Sequence, residues 1–278
     1  MARLLIFGLG YAASHLGARL TAEGWHVVGT SRDGRAGTLR FDDRDAVAAE
    51  IAAATHILSS VPPVDGVDPV LVGHGAAIAR STRWIGYLSS TGVYGDAAGG
   101  WVDETAPVAG RRPARNAADR DWLAIGARVF RLPGIYGAGR SALERVRDGQ
   151  AHRVDLPAQV FSRVHVDDIA SGVIAGFDGP AGAYNLADDQ PGSQNRVIDF
   201  AARLLGLPPP PFVALDTLSP MARSFYAENR RVATGKAKRV LGWVPRYPDY
   251  RAGLRALSAT TSPMPVSIAP PAASGDQR

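Results

Sequence analysis

Cysteine is absent from the 278 residues, which excludes a disulfide framework and any thiolate-held zinc or iron–sulfur centre. A cysteine-free chain suits a reducing compartment, and a cytoplasmic location is the expectation. Lysine is almost absent too: Lys236 and Lys238 are the two present, so the basic side chains are nearly all arginine. No apolar run approaches the roughly 20 residues that a membrane-crossing helix needs, and no membrane span is expected. The apolar opening after Arg3 breaks at Gly8, so it reads as a strand and not as the core of a secretory signal. Dense basic runs with interleaved aromatics are missing as well. The formal net charge of +5 comes from arginines spread along the chain, so nucleic acid is not expected as a partner. The 6 histidines are scattered, and no metal site is expected.

What is present is a 46% hydrophobic chain in which short apolar segments alternate with amphipathic ones. That alternation predicts a parallel sheet flanked by helices. Strands are expected at Arg3 to Phe7, His26 to Thr30, His56 to Ser60, Trp84 to Ser89, Ala127 to Leu132 and around Val164. Helices are expected at Ala12 to Glu23, Asp45 to Ala54, Val70 to Arg80, Ala114 to Ile125 and Ala170 to Phe177. Stretches rich in Gly, Pro and Asp at Pro62 to Pro69 and Asp96 to Pro113 read as loops leaving strand ends, where open α/β sheets bind ligands.

Gly8-Leu9-Gly10-Tyr11-Ala12-Ala13 follows the first strand and opens a helix, the context in which a glycine fingerprint carries meaning. Gly8 permits a tight turn, Gly10 lets the backbone approach a pyrophosphate, and Ala13 stands where a third glycine would let helix meet strand. Free amides at the helix start then meet the negative charge. This loop, Tyr11 included, predicts a dinucleotide site. An acidic residue ending the second strand would bind the ribose 2'-hydroxyl of NAD. The chain instead reads Thr30-Ser31-Arg32, and a hydroxyl followed by a guanidinium suits the 2'-phosphate of NADP. NADP is therefore expected, with NAD as the alternative, although Arg32 also reads as an exposed loop residue. Asp42 after Phe41 would border the adenine or be a plain surface carboxylate, and Ser60 at its strand end is grouped with the cofactor residues.

Leu88-Ser89-Ser90-Thr91-Gly92-Val93-Tyr94-Gly95 resembles the strand end of the extended and atypical short-chain dehydrogenases/reductases, the NAD-dependent epimerase/dehydratase group. Arg131-Leu132-Pro133-Gly134-Ile135-Tyr136-Gly137, Ser162 to Ala170, Tyr184 to Asp189 and Leu241-Gly242-Trp243 resemble later segments of that group. The variant glycine loop and the short length are most similar to its YeeZ-like branch. The resemblance covers about residues 3 to 255. It implies an α/β Rossmann fold with a doubly wound parallel sheet and a smaller C-terminal substrate lobe: 1–135 for NAD(P), 136–258 as the substrate lobe with strands returning to the sheet, and 259–278 as a disordered tail. It also implies that Thr91 orients a substrate oxygen, that Pro133 to Tyr136 border the nicotinamide, and that His165 and Asp168 bond neighbouring loops. A homodimer through two helices would suit the superfamily.

The chain departs from the group at its Tyr-x-x-x-Lys pair. Four-residue spacing puts that pair on one helix face, where the ammonium lowers the phenol's pKa for proton exchange. No lysine precedes Lys236, and none of the 8 tyrosines has a lysine four residues on. Aligned with Asp119 in the usual acidic position, Arg111 falls at the tyrosine position and Arg115 at the lysine position. Arginine stays charged, so Arg111 is no conventional acid–base group, while Arg115 could hold the cofactor ribose or an anionic substrate. Tyr94, Asp96 and Tyr136 are the substitute proton donors. Arg111, Arg112 and Arg140 hint at a small anionic or nucleotide-sugar-like substrate. Two functions follow: an NAD(P)-dependent oxidoreductase or epimerase with a nonstandard site, or a catalytically inactive NAD(P)-binding sensor or interaction protein.

Overall fold

The computed structural model describes residues 2–81 and 83–261. In chain order it begins β1 (Arg3–Phe7), α1 (Tyr11–Ala22), β2 (His26–Ser31), β3 (Leu39–Arg40), α2 (Arg44–Ala53), β4 (His56–Ser59), α3 (Pro69–Ala79) and β5 (Trp84–Ser90). A 3-10 turn over Thr91–Tyr94 leads to β6 (Trp101–Val102), α4 (Pro113–Ala124), β7 (Arg128–Leu132), β8 (Gly134–Tyr136), α5 (Ala142–Arg147) and β9 (Arg153–Val154). Then come β10 (Arg163–His165), α6 (Val166–Ala175), β11 (Gly182–Asn185), α7 (Gln194–Leu204), β12 (Phe212–Val213) and α8 (Pro220–Tyr226). β13 (Arg231–Val232), α9 (Gly235–Leu241) and α10 (Tyr250–Thr261) complete the described chain.

Seven strands form one sheet in the order β11-β7-β5-β4-β1-β2-β3, with every pairing parallel. β1 lies at its middle, and Leu4, Leu5, Ile6 and Phe7 are all buried. A strand covered on both faces reads as a continuous apolar run, not as an alternating one. The pleat sends Leu4 and Ile6 to one face with Leu16, Leu20, Ile169 and Val173 of α1 and α6. It sends Leu5 and Phe7 to the other face with Ile51, Val70, Ile78 and Trp122 of α2, α3 and α4. Each fully buried aliphatic side chain contributes about 1.5–3 kcal/mol. Strand order reverses between β1 and β4, so the crevice above their carboxyl ends is the place where such sheets bind ligands.

The later part of the chain packs α5, α7 and α10 around Tyr136, Leu143, Ile198 and Leu254. The expected strand around Val164 exists as β10, but it pairs with β8 in a separate two-stranded parallel sheet. α6 starts at Val166, earlier than the expected Ala170, because the His165 imidazole accepts the Asp167 amide as an N-cap. Residues 259–261, assigned to the tail, form the last turn of α10, and the disordered tail expected over 262–278 lies outside the described residues. Among the described residues no helix is long and apolar enough to cross a membrane.

Candidate functional site

Gly8 ends β1 at φ +79°, and a Cβ there would sit 2.7 Å from Val61 Cγ2. Both facts require glycine. Its amide donates to Thr30 Oγ1 at 3.2 Å, and its carbonyl accepts from Ser60 Oγ. The loop is thus tied to the ends of β2 and β4 on either side. Gly10 N-caps α1 with no side-chain bond and is exposed. The first-turn amides beyond it, at Tyr11 and Ala13 among others, lack intrahelical acceptors and stand at the carboxyl edge of the sheet. Ala13 is buried against that sheet. Tyr11 turns away from the loop toward the segment between β8 and α5: its hydroxyl donates to the Ala138 carbonyl at 2.9 Å, and the Arg140 guanidinium stands 5.6 Å from its ring centre.

At the end of β2, Ser31 Oγ donates to Asp33 Oδ1 at 3.0 Å and accepts from Thr38 Oγ1 at 2.7 Å. Arg32 is exposed, and among the described residues its guanidinium has no partner. Asp33, two residues beyond the strand, is the nearest carboxylate to this edge in sequence and was missed in the sequence reading. Its carboxyl is held below the usual range by the Ser31 hydrogen bond. Asp42 is exposed and paired with Arg40 at 2.7 Å.

A cleft of about 850 Å³ opens beside the carboxyl end of β5. Thr91 lines it and is 3% exposed, and among the described residues no group bonds its hydroxyl. Ser90 lines it as well, its Oγ accepting the Gly92 amide at 3.1 Å. Pro133 forms part of the wall. Arg111, Arg112 and Arg115 from the segment that opens α4, and Arg140 from the loop after β8, all line this one cleft.

Three expectations change here. Arg111 is not on the helix that was to carry the acid–base pair: Pro113 is the first residue of α4 and Arg112 its N-cap. Arg111 and Arg115 therefore do not share a helix face. Arg111 instead donates through Nε to Glu228 Oε1 at 2.7 Å and through a terminal nitrogen to the Ser224 carbonyl at 2.9 Å. Tyr94 is buried, donating to Asn185 Oδ1 at 2.7 Å and accepting from Arg131 at 3.0 Å. Burial raises its pKa despite Arg131, which disfavours proton exchange. Asp96 accepts the Ala98 and Asn229 amides at 3.2 and 2.7 Å, a loop-fixing role.

Asp119 and Arg131 form a pair under the site, with a 2.6 Å bond and side chains 0% and 3% exposed. Ser89 Oγ donates to the same carboxylate at 2.7 Å. The network from Ser89 through Asp119, Arg131 and Tyr94 to Asn185 holds the ends of β5, β7 and β11 beneath Thr91. Tyr136 lines the cleft, but its phenol turns to the Asp249 carbonyl at 3.5 Å, and burial raises its pKa. Asp168 accepts the Arg246 and Tyr247 amides at 2.6 and 3.1 Å. His165 lies 4.2 Å from the Tyr247 ring, and burial lowers its pKa. Among the described residues no His/Asp/Glu group is arranged to hold a metal ion.

Other lining residues had no sequence signal. Ser224, Tyr226, Glu228 and Arg230 come from α8 and the segment after it, which the fold returns across the cleft from more than a hundred residues beyond Thr91. Tyr226 is half-buried against Phe161, edge to face at 5.7 Å, and among the described residues its hydroxyl has no hydrogen-bond partner. Burial raises its pKa, opposed by Arg145 and Arg163.

No protein-family model matches the chain. Protein YeeZ of Escherichia coli is 30% identical over 251 residues, covering 76% of this chain and 87% of that protein. A solved structure of a functionally unknown conserved protein from Silicibacter pomeroyi DSS superposes with a TM-score of 0.82 at 42% identity, over 94% of this chain and 99% of that one. The dTDP-glucose 4,6-dehydratase of Bacillus anthracis in complex with NAD shares the fold, with a TM-score of 0.77 at 16% identity over 93% and 96% of the two chains. With its glycine turn at the switch point, its buried Ser-Ser-Thr strand end and these relatives, the chain belongs to the YeeZ family.

Proposed function

We propose that this protein is an NAD(P)-binding oxidoreductase or epimerase/dehydratase-like enzyme that acts on a small anionic molecule in the cleft beside Thr91, with NADP as its dinucleotide. The observation that carries the reading is the uncapped N-terminus of α1 behind the Gly8 turn, at the point where strand order reverses. Backbone amides and the helix dipole there favour a pyrophosphate. The fit extends to Arg32, without a partner among the described residues, which would meet a 2'-phosphate, and to Pro133 in the wall of the cleft. A bound nicotinamide would supply or accept a hydride. This chain would supply a Thr91 hydroxyl to hold the substrate oxygen, a Tyr226 hydroxyl to bond the substrate, and arginines that draw an anion into the cleft.

Titration with NADPH and NADH tests the reading directly. Gly10→Asp, which puts a carboxylate where the pyrophosphate approaches, is expected to abolish binding of both. Arg32→Ala is expected to weaken NADPH about tenfold to a hundredfold, the worth of roughly 1.4–2.7 kcal/mol, and to leave NADH unchanged. If neither nucleotide binds the wild type, the proposal falls. The second reading, a sensor that binds NAD(P) without turnover, draws on α4 carrying neither tyrosine nor lysine. A substrate-dependent change in nicotinamide absorbance would exclude it.

A further inference from the structure

The cleft already holds a carboxylate of its own. Glu228 Oε1 accepts from Arg111 Nε at 2.7 Å, and Glu228 Oε2 accepts from an Arg230 terminal nitrogen at 2.6 Å. All three residues line the cleft together with Thr91. A second Arg230 nitrogen lies 3.9 Å from the position a Cβ would take on Gly92, the neighbour of Thr91. The Glu228 side chain is 12% exposed. Burial works against its charge, yet the hydrogen bonds from Arg230 and Arg111 hold its carboxyl below the usual range. Charge-assisted bonds of this kind from two guanidinium groups, one to each oxygen, select a carboxylate.

Each arginine is also anchored elsewhere. Arg230 donates to the Gly95 carbonyl at 2.6 Å and Arg111 to the Ser224 carbonyl at 2.9 Å. Arg230 is thus held by backbone independently of Glu228, whereas the second anchor of Arg111 lies on α8, the helix that precedes Glu228. On the side that precedes Glu228 the chain is lightly packed: none of the described side chains of α8 is buried, and Phe225 is 63% exposed, while the Glu228 carbonyl and Asn229 are tied to Gln159, Val160 and Asp96. A two-arginine site, with Arg230 held in place from the Gly95 loop, is thus filled by a side chain just after a lightly packed helix, in the same cleft as the Thr91 hydroxyl.

We propose that Arg111 and Arg230 form the carboxylate-binding subsite of the substrate cleft, with Glu228 as its internal occupant, displaced when a substrate carboxylate enters. This rests on the reading of the cleft as a substrate site and names the substrate class as a carboxylic acid. In this view Arg111 is a binding group and has no part in proton transfer.

The test uses propionate and inorganic phosphate as probes, titrated into wild type, Glu228→Gln and the double variant Arg111→Gln/Glu228→Gln, with NADPH titrated into each. Glu228→Gln is expected to bind propionate at least about tenfold more tightly than wild type, because the competing charge is gone. The double variant is expected to lose that gain. In wild type, saturating propionate is expected to speed amide exchange over residues 219–228 as the internal contact opens, a readout independent of any variant's folding. Equal propionate affinity in wild type and Glu228→Gln would overturn the proposal, as would slowed exchange over 219–228 in wild type. Binding of phosphate without propionate would overturn the carboxylate assignment. Loss of NADPH binding in wild type would instead sink the dinucleotide reading, so the two failures are distinguishable.

Discussion

Asp188 is 2% exposed, and neither carboxyl oxygen has a well-formed hydrogen bond. Burial pushes its pKa up to about 8, with Arg163 opposing. A carboxyl raised in the folded state keeps a proton that the unfolded chain has already lost, so its contribution is full below the unfolded pKa and disappears as pH rises through about 8. The wild type is expected to lose stability between pH 5 and pH 8, and Asp188→Asn to flatten that loss by about 1–3 kcal/mol; urea midpoints across that range decide it. Parallel slopes would show that Asp188 ionises normally. Asp119 presents the opposite case, a buried carboxylate fully matched by Arg131 and Ser89. Asp119→Ala should cost about 3–5 kcal/mol by stranding the arginine, read as a lowered denaturation midpoint. Of the site, the glycine turn and Thr91 were legible because their chemistry is local to one strand–turn–helix segment. Burial was not legible, so Tyr94 looked like a free phenol although Asn185 and Arg131 occupy it. The position of Arg111 was readable in principle, since Pro113 marks a first helical turn and places residue 111 outside the helix.

Asp68 joins two elements at once. Its Oδ1 accepts the Val70 and Leu71 amides at the start of α3, and its Oδ2 accepts the Trp122 indole of α4 at 2.8 Å. Asp68→Ala removes a helix cap and orphans a buried indole N–H, so a loss of about 2–4 kcal/mol is expected in urea denaturation. Asp68→Asn, which keeps an acceptor for the amides, should lose less; equal losses would show that the cap contributes nothing. Five strands of the central sheet were legible, and β1 shows why: a strand buried on both faces is an uninterrupted apolar run, whereas β3 and β11 drew no strand expectation. β3, β6, β9, β12 and β13 span two residues each, too short for any period to register. They exist because distant segments meet, as Trp101 does with Arg231. The capping box of α5, Ser141 with Glu144, is a signal that was present in the sequence and passed over.

The whole molecule leaves a groove between α3 and α4 that is bordered by exposed apolar residues, Val67 at 52% and Val72 at 74%. The homodimer implied by the resemblance would cover this face, and sedimentation at micromolar concentration is expected to show a dimer that Val72→Glu dissociates. A monomeric wild type would refute it. The buried network beneath the cleft has a different consequence, for how the sequence can change over time. Ser89, Tyr94, Asp119 and Arg131 come from β5, the turn after it, α4 and β7, and Asn185 comes from the end of β11, more than fifty residues further on. Replacing either member of the charged pair alone leaves the other stranded in the interior, whereas exchanging both for well-packed apolar residues leaves no stranded charge. Single steps away from this arrangement are therefore closed. Asp119 and Arg131 are expected to drift only as a couple, and in a double-mutant cycle the two losses should fall well short of adding.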